Sequence, residues 1–340
     1  TMRMRPSYSD FNIMNSQEQM GVYRELYDKG WLNLSDTYRA RESGVYGKMY
    51  QLVNTIDPST GQFMLQNTPE GRNAYLRQAE MRNTNWFEEL FNINVMHNHS
   101  VSISSGNEKS SYYASLSAMF DPGWYKASKV KRFTANLKTD YKITKDLTLN
   151  LLSNASYRKQ NAPGTLSQQV DATSGIISRG FDINPYSYAI NASRTLDPEE
   201  SYTRNYAPFN ISHELDNNFM ELNVVDLKFQ GELKWRIMPG LDVGVLAAMN
   251  YATTSQEHRT MDESNQALAY RAMPDATVIE NNPYLYRDPG NPYYLPISLL
   301  PEGGILQRTD YKMRGYDFST NLNWRKEFDE KLLASLYRGM

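Results

Sequence analysis

With 340 residues and a net charge of −2, the chain has length for a large core or more than one domain and no surplus of cations for a polyanionic partner. Lys and Arg are scattered with no basic run among aromatics, which excludes the usual nucleic-acid footprint, and the lack of cysteine excludes a disulfide framework or a thiolate metal site. No apolar run is long enough for a transmembrane helix, and the residues from Thr1 to Pro6 do not lead into the apolar core of a signal peptide.

Residues 1–10 read as the end of a strand. From Ser16 the period changes: Ser16 and Gln19 have capping-box spacing, Met20, Tyr23, Leu26 and Tyr27 recur at helical spacing, and Gly30 is a stop. Residues 31–67 carry scattered Gly, Ser, Asn and an Asp-Pro step, which predicts loop. Thr68-Pro69-Glu70 predicts a helix start, and that helix runs to about Arg82. A short amphipathic turn follows from Trp86 to Phe91, so 11–92 reads as one long excursion with helical pieces.

Period two then takes over. His97, His99, Val101 and Ile103 share one face of a strand, and Gly106 to Lys109 turn the chain. Tyr112, Ala114, Leu116, Ala118 and Phe120 form the apolar face of the return strand, and Asp121-Pro122-Gly123 is the next break. Phe133, Ala135, Leu137 and Tyr141 continue the pattern, as do Leu147, Leu149, Leu151, Ala155 and Tyr157 after a turn at Thr144 to Asp146.

The clearest hairpin lies at 224–251. Val225, Leu227, Phe229, Leu233, Trp235 and Ile237 alternate with Asp226, Lys228, Gln230, Glu232, Lys234 and Arg236. Met238-Pro239-Gly240 breaks the strand, and Leu241 to Tyr251 alternate again. Tyr316, Phe318, Leu322 and Trp324 mark a further strand, Phe328-Asp329-Glu330 a turn, and Lys331 to Tyr337 one more strand, about eight in all. The connections sort by length: those at 106–109, 144–146, 238–240 and 328–330 are short, whereas 11–92, 159–221 and 254–309 are long and 121–129 is intermediate. Strands of ten or more alternating residues with connections sorted this way predict an all-β, antiparallel transmembrane β-barrel, with short helices in long extracellular loops. The apolar faces then meet lipid, the ionic faces line a wet interior, and Trp235 sits where an aromatic girdle belongs.

From residue 86 onward the chain also resembles SusC/RagA-type TonB-dependent outer-membrane transporters. The run at 84–92, the hairpin from Asn98 to Ser115, Gly123, and the strand from Lys131 to Leu137 carry the resemblance, and Asn15-Ser16-Gln17-Glu18 resembles the segment after that family's first barrel strand. The resemblance implies the first part of a barrel of about 22 strands. It implies partnership with a SusD-like surface lipoprotein, coupling to the TonB complex through an N-terminal plug region, and import of oligosaccharides or peptides across the bacterial outer membrane. The plug and the TonB box have no match in this chain, and it stops within a strand at Met340, so it reads as a piece of the barrel domain.

Catalytic and metal chemistry find little support. His97 and His99 share one strand face, but His213 and His258 lie in separate long connections, so a metal site lacks further ligands. Glu88-Glu89 and Glu199-Glu200 are adjacent acids on solvated faces, Gly303-Gly304 is a turn, and no GxSxG, Walker A, HExxH or GxGxxG occurs. No enzyme activity, metal or cofactor is expected. The loop aromatics Trp124, Tyr125, Tyr186, Tyr188, Tyr293 and Tyr294 are candidate substrate contacts that stack on sugars or grip peptides; packing within the loops is the plainer role for any one of them. Lys228, Glu232, Lys234 and Arg236 are candidates for tuning passage, against simple pairing across strands. The alternative reading is a secreted, soluble carbohydrate-binding β protein; an extracellular hydrolase is a third, with no site to support it.

Overall fold

The computed structural model describes residues 1–32, 44–164, 169–170, 177–178, 181, 183–273, 276–329 and 332–339. Eight long strands dominate it: β1 (His97–Gly106), β2 (Ser110–Asp121), β3 (Lys129–Lys142), β4 (Leu147–Pro163), β5 (Asn218–Met238), β6 (Leu241–Thr260), β7 (Ile305–Asp329) and β8 (Leu332–Gly339). They form one antiparallel sheet in chain order, from β1 at one edge to β8 at the other. Among the described residues β1 pairs only with β2 and β8 only with β7 of the eight, and the two do not pair with each other, so the sheet is open. Among the described residues no helix is long and apolar enough to cross a membrane.

Register follows from alternation and turn chemistry. Tyr157, Ala155 and Leu149 of β4 stand opposite Val225, Leu227 and Leu233 of β5, and Leu227, Phe229 and Leu233 stand opposite Tyr251, Met249 and Val245 of β6. A slip of one residue would send each apolar set to the ionic face, so the pattern itself locks the pairing. The short turns are made by local chemistry. Asn107 Oδ1 accepts from the N–H groups of Lys109 and Ser110, both at 2.9 Å. Gly240 has φ +85°, and a Cβ there would stand 2.1 Å from the Arg325 carbonyl oxygen, so this turn requires glycine. Glu330, in the expected last turn, Lys331, at the expected start of the last strand, and Met340, at the expected stop, lie outside the described residues.

Three corrections to the sequence reading are physical. The strands run past their apolar stretches, so the long connections are 164–217 and 261–304 and not 159–221 and 254–309. The extra strand residues are mostly polar, their apolar members Phe219, Met220, Ile305 and Leu306 fall on both faces, and they lose the hydrophobic period while keeping the ladder hydrogen bonds. Within 31–67, Gly44–Asn54 is a helix (α2), built on Val45, Tyr46, Met49 and Val53; its two glycines mask a helical spacing. The capping box of the first helix, α1 (Ser16–Asp28), uses Asn15 and Glu18, one residue earlier than expected, because the amide of Asn15 caps through its own oxygen. The helix predicted after Thr68 is present as α3 (Pro69–Arg82), capped by Thr68 and ended at Asn83 in the left-handed region. The residues read as a strand end include Met2–Arg3, which pair with Asn94–Val95 just before β1.

The buried core is not on the sheet. It lies at the long-connection end, where α1, α2, α3 and α4 (Trp86–Leu90) pack with α5 (Pro185–Asn191) and α6 (Ile211–Asn217) around Met20, Trp86, Phe87, Phe91, Ile183 and Ile211. We call this body the cap. Its parts come from far apart in the chain and are tied by specific bonds: Trp86 Nε1 donates to the Ser193 carbonyl at 3.0 Å, Arg82 pairs with Asp197 at 3.2 Å, and Gln19 Oε1 accepts from Arg194 N–H at 2.8 Å. Phe87 sits at the centre, fully buried, with ring centroids of Tyr8, Phe11 and Phe91 at 4.8, 5.4 and 5.5 Å. Truncating a buried Phe to Ala costs about 3–5 kcal/mol. Phe87→Ala is therefore expected to strip amide hydrogen-exchange protection from α3, α4 and the 193–197 segment while β5 and β6 keep theirs; equal loss in the sheet would show that cap and sheet unfold as one unit.

Candidate functional site

The two faces of the sheet differ in chemistry and in cover. On one face, Val101, Ile103, Phe229 and Phe318 are 65, 69, 52 and 73% exposed, and among the described residues no second layer packs on them. Aromatic rows bound this apolar band at both ends. Tyr112, Tyr141, Trp235 and Trp324 stand near the short turns, and Phe120, Phe133, Tyr157, Tyr251 and Tyr316 stand towards the long connections; cross-strand register puts both rows on the band's own face. The Tyr157 hydroxyl reaches Asn223 Oδ1 at 3.3 Å, so the ring lies on the band and its polar tip points past it. Between the rows, small residues leave a hollow of about 410 Å³ floored by Ala114, Ala135 and Ala155 and walled by Val101, Leu137 and Phe229.

The opposite face is ionic and amide-rich. Glu232 accepts from Asn150 Nδ2 at 3.2 Å and pairs with Lys234 at 3.3 Å, Arg236 lies 3.6 Å from Asp242, and Asn250 donates to Asp317 at 3.0 Å. Glu232, Lys234 and Arg236, proposed from sequence as tuning charges, thus have cross-strand or same-strand partners. These pairs are solvent-screened and contribute little to stability. Their arrangement makes a wet, polar surface.

The six candidate aromatics split into two groups. Trp124, Tyr125, Tyr186 and Tyr188 converge in the cap. Trp124 and Tyr186 stack with centroids 6.1 Å apart, both edge against Phe91 at 5.0 and 6.2 Å, and Trp124 Nε1 donates to the Met4 carbonyl at 2.8 Å. Tyr125 packs against Phe91 at 5.9 Å, and Tyr188 against Trp86 at 5.1 Å and Phe209 at 6.0 Å, so these two serve the core. Trp124 is half-buried and Tyr186 is 38% exposed, which leaves a paired aromatic surface open. Tyr293 and Tyr294 stand apart on the last long connection, 95 and 70% exposed. His97 and His99 stack with centroids 6.2 Å apart on an exposed edge, and no group of three or more potential metal ligands occurs among the described residues.

Sequence reasoning missed the polar staple that joins the two long connections. Glu214 of α6 is buried and accepts from the Asn265 N–H at 2.6 Å, at the start of α7 (Asn265–Ala269). Asn265 Nδ2 in turn donates to the carbonyls of Arg204, Ala207 and Pro208 at 2.7, 3.2 and 3.0 Å. The only sequence signal was an acid on the apolar side of a short helix, between Ile211 and Leu215. Burial pushes the Glu214 carboxyl up to about 7, partly opposed by the Asn265 hydrogen bond and the charge of Arg204.

No family model matches this chain, and no curated protein sequence matches it. Among solved structures, the chain is similar to that described as the RagAB peptide transporter, with TM-score 0.60 and 14% identity over 99% of this chain and 33% of that one. The RagAB peptide importer in its closed-closed state gives TM-score 0.61 and 13% identity over the same shares, and the open-open state gives 0.52 and 15% over 75% and 24%. At such identity the likeness is one of fold, and the chain spans about a third of the length of the first two structures.

The Glu214 shift carries a pH dependence. The folded state holds the proton to about 7, above the ordinary carboxyl value of 4.5, so the group's contribution to cap stability is most favourable below the unfolded value and is lost as pH rises through 7. Glu214→Gln keeps an oxygen for Asn265 and removes the charge. We expect protection of the amides in α6 and α7 to fall between pH 5 and pH 8 in the parent and to stay level in the variant; parallel pH profiles would place the dependence elsewhere.

Proposed function

We propose that the chain forms part of the wall and outer loops of a TonB-dependent outer-membrane importer of the SusC/RagA type, which takes up peptides or oligosaccharides together with a SusD-like lipoprotein. One observation carries this reading: an apolar band, edged by aromatic rows and covered by no protein layer among the described residues, lies on a sheet whose connections are all short at one end and, apart from 122–128, long at the other. From Val225 to Trp235 the band runs about 34 Å along the strand. At a strand tilt of about 45° this is about 24 Å of height, close to the apolar band of known membrane barrels. A soluble β protein would bury such a face against a second sheet.

In this reading the open sheet belongs to a larger closed barrel of about 22 strands, since hydrocarbon tolerates no unpaired strand edge. The ionic face lines the interior, and the excursion at 11–92 with the connections at 164–217 and 261–304 faces outward as the cap. The fold likeness to RagAB, described as a peptide importer, favours peptides over sugars as cargo. Trp124 and Tyr186 offer the cargo an open aromatic pair, and the exposed Tyr293 and Tyr294 offer a second contact. No catalytic step is required of any residue. Force on the plug of the whole transporter would open the path through the interior.

Two experiments test the reading. Phe229→Arg, near the middle of the band, is expected to cost about 2–4 kcal/mol in lipid, while Gln230→Arg on the opposite face should be nearly silent. Equal effects, measured by urea unfolding of the full-length protein in vesicles, would mean that the faces are assigned wrongly. Deleting the gene should abolish uptake of a labelled short peptide, and the double variant Trp124→Ala/Tyr186→Ala should lower uptake at unchanged surface level. Full-length protein that stays in the aqueous phase without detergent would overturn the proposal outright.

A further inference from the structure

The outward face changes chemistry directly above its upper aromatic row. Two residues beyond Phe133, Tyr157 and Tyr316 the alternation reaches Lys131, Lys159 and Arg314, and further along the same face it reaches Glu221, four residues beyond Val225, and Glu257 and Arg259, six and eight beyond Tyr251. These side chains form a continuous ladder across four strands. Lys159 pairs with Glu221 at 3.4 Å, Glu221 with Arg259 at 3.6 Å, and Arg259 with Glu257 at 2.7 Å. Arg308 continues it, 3.5 Å from Glu257 and 3.0 Å from Asp310. The carboxylates hold the guanidinium groups of Arg259 and Arg308 in place along the rim.

Cations outnumber acids here. Lys129 and Lys131 of β3 and Lys312 and Arg314 of β7 lie on the same face at the same end, all exposed, and no carboxylate forms a salt bridge with any of them among the described residues. Lys131 stands directly opposite Lys159, a like-charge pairing that costs energy unless an anion lies between or above the two. A chain with net charge −2 thus concentrates positive charge on one stripe. At the short-turn end the band finishes in Trp235 and Trp324, and no such ladder occurs there among the described residues.

We propose that this stripe binds the anionic head groups of the lipids around the sheet, and so selects negatively charged lipid on the long-connection side. The proposal rests on the reading of the apolar band as lipid-facing. Its specific support is the junction itself: cations begin two residues beyond the apolar rows, so an occupant must touch both. An amphiphile with an apolar tail and an anionic head meets that demand, whereas a free anion or a polar protein surface uses only half of it. Long Lys and Arg side chains lay their stems on the aromatic rows and raise their charges to head-group level.

The test uses the full-length protein in nanodiscs of equal phosphatidylglycerol and phosphatidylcholine, with retained lipids counted by native mass spectrometry. The parent is expected to enrich phosphatidylglycerol about threefold, and the enrichment should fall as salt rises. The variant K129Q/K131Q/K312Q/R314Q leaves the ladder intact and changes only exposed side chains; its lipid ratio should fall to near parity. Lys228→Gln, on the opposite face, should keep the parent's ratio. An unchanged ratio in the quadruple variant, or no enrichment in the parent, overturns the stripe as a lipid site while leaving the importer reading standing. Full-length protein that does not enter nanodiscs and stays soluble without detergent removes both.

Discussion

Everything in this architecture follows from an apolar face that none of the described residues covers. Strand spacing and rise make the band across the first seven strands roughly 30 Å wide and 34 Å tall, on the order of 1,000 Å². That is about 1.7 to 3.3 times the largest apolar patch a soluble monomer usually exposes. The chain does have the means to bury apolar groups, and it uses them in the cap, where Trp86, Phe87 and Phe91 are nearly inaccessible. The exposed Phe229 and Phe318 stand in contrast to that cap, and the proposed importer accounts for them as a surface that faces lipid.

How much of this the sequence reveals depends on the range of the interaction. Alternation is local, so the hairpin at 218–260 is legible from Val225, Trp235 and Gly240 alone, and the same holds for α3 with its Thr68-Pro69 start. Strand ends are less legible. Between 253 and 260 the strand has no hydrophobic residue and is held by backbone ladders and ion pairs, and between 218 and 223 the apolar Phe219, Met220 and Leu222 fall on both faces, so the outward alternation that marks 225–237 is lost. The helix at 44–54 is hidden by Gly44 and Gly47, which tertiary packing of Val45, Tyr46 and Met49 overrides.

The cap lies furthest from what sequence can show. Its bonds join Ser16 to Arg194, Thr84 to Leu196, and Glu214 to Asn265, at separations from 51 to 178 residues. No window of sequence contains both partners of any of these. The candidate aromatics illustrate the limit: composition alone treats Tyr125, Tyr186 and Tyr188 as equivalent loop residues. The fold turns Tyr125 and Tyr188 into packing groups and leaves Tyr186 stacked on Trp124 at the surface. Which ring is available is decided by Phe91 and Trp86, which are distant in sequence from α5.

The lengths of the strands link the two solvents. β5, β6 and β7 have 21, 20 and 25 residues, against the ~9–11 that a tilted strand needs to cross hydrocarbon. The surplus is not shared between the ends, because the short turns close within a few residues of Trp235 and Trp324. It all projects towards the cap. That overhang lifts the cap clear of the apolar band, and it gives the strands a second zone in which side chains must satisfy charge and not hydrophobicity. The ladder from Lys159 to Asp310 occupies this zone on one face, and buried His258, bonded to Asn218 at 2.7 Å, occupies it on the other. In the proposed importer the sheet would carry a loop body above a lipid surface, and these residues would keep the backbone paired where the hydrophobic effect no longer helps.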